Sequence, residues 1–387
     1  MTAAFDDISR AALVSPESRK WSLHPDAIGA WVAEMDFGTA PPIVDALHRV
    51  VTDGHLGYLS PATTERMARA TAAFSAAQYG WDPGWERVRP VSDVMSAYAV
   101  AVTRYSAPGS PVIVPTPAYM PFLSFTPTLD REVVEVPGVV DAAGRWAHDL
   151  AGIEEAFARG AGTLVLCNPH NPTGRALDRA ELEAIAEIVA RYDGRVFADE
   201  IHAPLRYDDA PHTPYASLSP QTAGHTITAT SASKAWNLPG LKAAQLILSS
   251  DADEARYGDF GFSVLHGAST PGVVAAAAAY ESGGPWLAEV LDYLRGARDL
   301  LLRLVAQELP GVRVVAPEAT YIAWLDCREL ALPGGPAAFF LEHAGVALTD
   351  GALCGRGYEG FVRLVFAMPH PLLETAIRQM GEAVRAR

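Results

Sequence analysis

The 387-residue chain reads as a two-domain α/β protein, its larger part a mostly parallel sheet covered by helices on both faces. Three observations predict this. The length exceeds the size at which a single core stops growing. Short β-branched runs alternate with amphipathic stretches through the middle of the chain. The pattern then changes after Gly283-Gly284, where a long apolar stripe begins.

In chain order, strands are expected at Pro111–Pro115, Glu132–Val136, Thr163–Cys167, Arg195–Asp199, Thr226–Thr230 and Ala244–Ser249. Between them, Leu182, Ile185, Ile188 and Val189 recur at helical spacing within Asp178–Tyr192. Pro285 sits where proline favours a helix start, and Leu287, Val290, Leu291, Leu294 and Leu301 extend a stripe that Pro310-Gly311 ends. Strands at Val312–Val315, Tyr321–Leu325 and Val362–Ala367, with a helix over Pro371–Ala386, complete a smaller α+β unit.

Composition narrows the function classes. Hydrophobic residues make up 49% and charged residues 19%, as in an ordinary globular chain. A formal net charge of −15 argues against nucleic acid or an anionic membrane as partner, but leaves room for a small anion held by local groups. Cys167, Cys327 and Cys354 are widely spaced, which suits a reducing compartment and offers no zinc knuckle. The opening MTAAFDDISRAALVS lacks an apolar segment, so no secretory signal is expected and the cytoplasm is the expected location. No H-E-x-x-H or nucleotide phosphate-loop pattern is present. Only three of the 30 basic residues are lysines, Lys20, Lys234 and Lys242, so amine chemistry has few candidates.

Three polar clusters follow expected strands: NPHNPTG (Asn168–Gly174), ADEIHAP (Ala198–Pro204) and SASK (Ser231–Lys234). Open α/β sheets bind ligands at such strand ends. A late arginine, Arg363, lies inside an apolar strand (FVRLVFA). Together with Lys20-Trp21, WVAEMDF (Trp31–Phe37), GYLSP (Gly57–Pro61), TPAYMPF (Thr116–Phe122), SASKAWNLPGLK and ATYIAWLD (Ala319–Asp326), this ordered set resembles the fold-type I pyridoxal-phosphate superfamily. Within it, the chain is similar to the MalY/PatB branch of carbon–sulfur β-lyases.

The resemblance implies an aspartate-aminotransferase-like fold, with a large domain built on a mostly parallel seven-stranded sheet and a smaller α+β domain. Residues 1–40 would join the small domain, 41–284 form the large cofactor-binding domain, and 285–387 supply the connecting helix and small domain. Lys234, Asp199 and Tyr119 would be the catalytic set. Lys234 forms an imine with pyridoxal 5′-phosphate and later moves the substrate Cα proton, Asp199 pairs with the pyridine nitrogen, and Tyr119 stacks on the ring. Asn171 and His202 would neighbour the ring oxygen. Ser231, Ser233, Lys242 and the helix start at Asp93, Val94 and Met95 would hold the phosphate, with Tyr58 reaching in from a second subunit of a homodimer. Arg363 would bind the substrate carboxylate, with Asn171, Tyr58 and Phe37 also at the substrate.

The implied reaction is β-elimination from cystathionine, cysteine or a cysteine S-conjugate. An aminotransferase or a decarboxylating oxidative deaminase would use the same apparatus, and a cofactor-binding regulatory protein is a third reading. Two positions depart from the family pattern: Asp93, where relatives carry a small or uncharged residue, and Val365, where they commonly carry Asn. A carboxylate at 93 should repel a phosphate unless it turns to cap the helix.

Overall fold

The computed structural model describes residues 5–141, 144–208, 210–261, 264 and 266–387. Seven strands form the main sheet: β1 (Val88–Val91), β2 (Val112–Thr116), β3 (Val133–Pro137), β4 (Thr163–Cys167), β5 (Arg195–Asp199), β6 (Thr226–Thr230) and β7 (Ala244–Leu248). They lie in the order β1-β7-β6-β5-β4-β2-β3. β7 runs antiparallel to both neighbours, and the other pairs are parallel.

Both faces of the sheet are covered, which is why its strands read as nearly unbroken apolar runs. Ile113, Leu164, Leu166 and Val196 pack to one side with Ile185 and Val189 of helix Arg179–Arg191. Their chain neighbours Val112, Val114, Val165 and Phe197 pack to the other, with Ala97 and Ala101 of helix Val94–Arg104. The alternation is that of a pleated strand. Helix Arg179–Arg191 starts at a reciprocal cap: Asp178 accepts from Glu181 N–H at 2.9 Å, and the Glu181 carboxylate accepts from Asp178 N–H at 3.0 Å.

β1 had not been expected. Its VRPV sequence carries a proline, which a central strand would not tolerate, and β1 indeed lies at the sheet edge. From β2 the chain moves outward to β3, then returns to lay β4 on the other side of β2. This reversal opens a crevice between the loops that leave β2 and β4.

The 25-residue helix Gly284–Glu308 leads to a second, antiparallel sheet of β8 (Arg313–Val314), β9 (Ile322–Asp326), β10 (Thr349–Asp350) and β11 (Phe361–Val365), in the order β8-β9-β11-β10. Helix His370–Arg385 packs along helix Gly284–Glu308. Near the start of the chain, Ile28–Gly29 pairs in parallel with Val346–Ala347, so the first residues join this later unit.

The segment that follows is anchored by a buried ion pair. Lys20 Nζ lies 2.8 Å from Asp36 Oδ2 and donates to Glu34 O at 3.2 Å, while Trp21 Nε1 donates to Asp36 Oδ1 at 2.9 Å. Asp36→Ala should leave the ammonium buried without its counter-charge, at a cost of about 3–5 kcal/mol. Urea denaturation at neutral pH measures this; a loss under about 1 kcal/mol would mean that the ammonium escapes to water.

Candidate active site

Four loops at the strand ends converge on the crevice. They follow β2 (Thr116–Tyr119), β4 (Asn168–Gly174), β5 (Asp199–His202) and β6 (Ser231–Lys234). The Thr116-Pro117, Asn168-Pro169 and Asn171-Pro172 peptide bonds are cis. Gly174 closes the second loop at φ +73°, where an added Cβ would meet the Pro317 Cβ at 2.7 Å, so both conformation and space require glycine. A cavity of about 210 Å³ opens between these loops and the start of helix Val94–Arg104.

Lys234 lines the cavity from the short turn Ala232–Ala235, which Ser231 caps by accepting from Ser233 N–H at 3.0 Å. Its Nζ donates to the Ala33 carbonyl at 2.9 Å. The side chain is half-buried. Burial first, and the Arg363 charge second, pull its pKa down to about 8. Asp199 lies at the end of β5 and accepts from Ile201 N–H at 3.2 Å. Burial pushes its pKa up to about 6 against the opposing influence of that N–H, the Cys167 thiol and Lys234. His202 is 1% exposed, and its Nδ1 has no hydrogen-bond partner. Burial and the Lys234 and Arg363 cations drive its pKa down to about 3, so the imidazole is neutral.

Tyr119 and Asn171 line the same cavity from opposite sides of the crevice. Ser231, Ser233, Val94, Met95, Asp93 and Lys242 also line it. The N–H groups of Val94 and Met95 belong to the first helical turn, which leaves such donors without intrahelical partners. Asp93 does cap the helix, accepting from Ser96 N–H at 2.8 Å, and its second oxygen lies 2.7 Å from Lys242 Nζ.

Arg363 stands behind Asn171, 3% exposed. Its guanidinium donates to Asn171 Oδ1 at 3.2 Å, Trp31 O at 2.9 Å and Thr349 Oγ1 at 3.2 Å, while Nε has no partner. With Met120 Sδ, 3.7 Å from the same guanidinium, all four acceptors are neutral, so the cation retains its attraction for a carboxylate.

Arg363 does not line the cavity itself but meets its wall through Asn171, and two further expected residues are placed elsewhere within this chain. Tyr58 is 96% exposed and does not line the cavity; its ring lies 6.2 Å from that of His266. Phe37 also does not line the cavity but fills an aromatic cluster, with ring centroids 4.9 Å from Phe5 and 5.1 Å from Tyr293. Val365 is fully buried and lies outside the cavity lining, its N–H donating to Ala30 O at 2.8 Å.

Sequence reasoning missed the backbone that holds the two cations. Trp31 O and Ala33 O accept from Arg363 and Lys234, and Tyr321 Oη also donates to Ala33 O at 3.0 Å. Asn237, three residues after Lys234, clasps the same segment: its Oδ1 accepts from Met35 N–H and its Nδ2 donates to Met35 O, both at 2.9 Å. The WVAEMDF motif marked the place, but carbonyl contacts leave no side-chain signal.

The family model for aminotransferase class I and II matches residues 32–380. The chain belongs to that family. Among its relatives, the cystathionine β-lyase of Corynebacterium glutamicum is 37% identical over 368 residues, covering 94% of this chain and 96% of that protein. A solved structure from Corynebacterium diphtheriae, described as a candidate PLP-dependent β-cystathionase, has a TM-score of 0.92 at 37% identity over 98% of each chain. Cystalysin from Treponema denticola, solved with its pyridoxal 5′-phosphate cofactor, has a TM-score of 0.90 at 26% identity, again over 98% of each chain. The seven-stranded, largely parallel sheet is thus the aminotransferase-family fold.

Proposed function

We propose that the chain is a pyridoxal-phosphate-dependent carbon–sulfur β-lyase, cleaving cystathionine or cysteine S-conjugates to a thiol, pyruvate and ammonia. The observation that carries this reading is Lys234: an amine held at 2.9 Å by a neutral carbonyl rather than a carboxylate, in a cavity that Asp199 also lines. Relatives named cystathionine β-lyase over nearly the full chain support the lyase over other reactions of the family.

The donor set fits the cofactor. Lys234 offers a primary amine, Asp199 an anion for a protonated ring nitrogen, and Asn171 and the open Nδ1 of His202 polar neighbours for a ring oxygen. Tyr119 offers an aromatic face. Ser231, Ser233, Lys242 and the N–H groups of Val94 and Met95 would hold the phosphate. When bound, the cofactor supplies an electron sink for the pair left at the substrate Cα.

This chain's residues do the remaining work. Arg363 and Asn171 orient the substrate carboxylate, which fixes the Cα–H bond relative to Lys234. The freed Lys234 amine takes the Cα proton, and the sulfur leaves from Cβ with its bonding pair. Water then converts the three-carbon fragment to pyruvate and ammonia. Arg363→Lys keeps the charge but loses the two-pronged geometry. It should raise KM about 10- to 100-fold with a smaller change in kcat, as steady-state kinetics would read.

Tyr58 is exposed beside Leu56 and near Val51, both themselves exposed, and Thr270 Oγ1 ties down the adjoining Gly57 carbonyl at 2.8 Å. This supports a homodimer in which Tyr58 completes the partner's cavity. The division into residues 1–40, 41–284 and 285–387 is supported by the pairing of Ile28–Gly29 with Val346–Ala347 and by the start of the long helix at Gly284. Three buried free cysteines support a reducing cytoplasm, and no helix of the described residues is long and apolar enough to cross a membrane.

Product analysis with L-cystathionine and S-alkyl cysteines tests the reaction. Thiol and pyruvate in equal amounts are expected. An aldehyde with carbon dioxide and no pyruvate would replace the lyase by an oxidative deaminase, and nitrogen transfer only to an added keto acid by an aminotransferase.

A further inference from the structure

Asp93, which lines the cavity, makes three polar contacts, two with Ser96 and one with Lys242. Oδ1 accepts from Ser96 N–H at 2.8 Å and from Ser96 Oγ at 2.9 Å, and Oδ2 lies 2.7 Å from Lys242 Nζ. Burial would raise the Asp93 pKa, but the Lys242 ammonium and the Ser96 donors outweigh it and hold the carboxyl below its ordinary value, so it is an anion at neutral pH.

The charges around the cavity make this contact consequential. Among the described lining residues the cations are Lys234 and Lys242, and the anions are Asp93 and Asp199. Lys234 and Asp199 serve the ring, which leaves Lys242 as the cation for a phosphate, and Asp93 already occupies it. The hydroxyls of Ser231, Ser96 and Ser92 are also engaged. Ser231 Oγ donates to Ala243 O at 2.8 Å, Ser96 Oγ donates to Asp93, and the Ser92 and Ser96 hydroxyls contact each other. Lys242 itself holds a left-handed backbone conformation, φ +52°, which fixes where its side chain leaves the chain.

We propose that Asp93 is a resident competitor for the cofactor's phosphate: its carboxylate occupies Lys242 and a first-turn N–H, and thereby holds cofactor affinity low enough for ready exchange. The identity of the anion rests on the pyridoxal-phosphate reading; the competition itself does not. A carboxylate beside a bound phosphate repels it, and part of Lys242's attraction is spent before the phosphate arrives. Both side chains of the pair are partly exposed, so solvent screens the effect to a moderate size.

The test uses the full-length chain stripped of cofactor, with Asp93→Asn and Asp93→Ser, each of which keeps an oxygen to cap the helix and removes the charge. Binding of pyridoxal 5′-phosphate is followed by absorbance, and its release by dialysis. Both variants should bind about tenfold more tightly than the parent and release the cofactor correspondingly more slowly. Adding Lys242→Met to Asp93→Asn should abolish the gain. Equal or weaker binding in both variants overturns the proposal, because it would make Asp93 a support that positions Lys242. Inorganic phosphate, titrated by calorimetry, provides an independent arm: the variants should again bind more tightly, and equal affinities overturn the proposal. Should pyridoxal 5′-phosphate fail to bind any form while phosphate follows the expected order, the lyase reading falls and the role of Asp93 stands.

Discussion

Lys234→Ala is expected to lower turnover by on the order of 10⁴-fold, because one change removes both the proposed covalent anchor and the group proposed to move the Cα proton. Arginine at this position should be equally inactive despite its charge, since it offers no primary amine at neutral pH. Borohydride treatment of the parent should fix the cofactor to Lys234, and the alanine variant should yield no such adduct. An amine near its ordinary pKa would be almost wholly protonated at neutral pH. With its pKa pulled down to about 8, Lys234 has a useful neutral fraction. The rate at which stripped protein captures the cofactor should therefore rise with pH and level off above about 8, as stopped-flow absorbance would follow. A flat profile from pH 7 to 9 would contradict the assigned state of the amine.

Asp199→Asn should cost on the order of 10²–10³-fold in kcat, the size expected when one charge that stabilises a reacting group is removed from a dry site. Its pH signature is more specific. Burial holds the folded pKa up at about 6, so in the cofactor-free chain the carboxylate is ionised above that value and loses its charge as the pH falls through it. Only the ionised form attracts a protonated ring nitrogen. Cofactor affinity should thus drop on acidification through about 6, and the asparagine variant should lack that component. The phosphate of the cofactor titrates in the same region, so the difference between parent and variant profiles is the quantity to compare. Superimposable profiles would remove Asp199 from the ring.

The strands most legible in the sequence are those buried on both faces. β4, β5 and β6 have the expected bounds, because a run such as TLVLC between turn residues admits few readings. β1 was not among the expected strands; it is four residues long, and its edge position makes Pro90 tolerable. Ile28–Gly29 and Thr349–Asp350 are two residues long, too short for any periodicity. Cavity-lining side chains such as Lys234, Asp199 and Asn171 stood out because their proposed chemistry demands particular residue types. Asp93 stood out only as an anomaly. Its capping of Ser96 is local and could be anticipated, whereas its pairing with Lys242 spans 149 positions and depends on β7 folding back beside β1.

The carbonyls of Trp31 and Ala33 have a consequence for how this protein can change over time. They hold Arg363 and Lys234, the two cations proposed to engage an amino-acid substrate, through atoms that every residue type possesses. Side-chain replacement at positions 31 and 33 leaves these acceptors in place, so a conventional mutational scan would undervalue the segment. Its role is carried by chain path and length. Positions 31 and 33 can be redecorated with little effect on the grip, whereas Asp36 anchors the strap through its side chain and inserting or deleting a single residue would loosen both cations together.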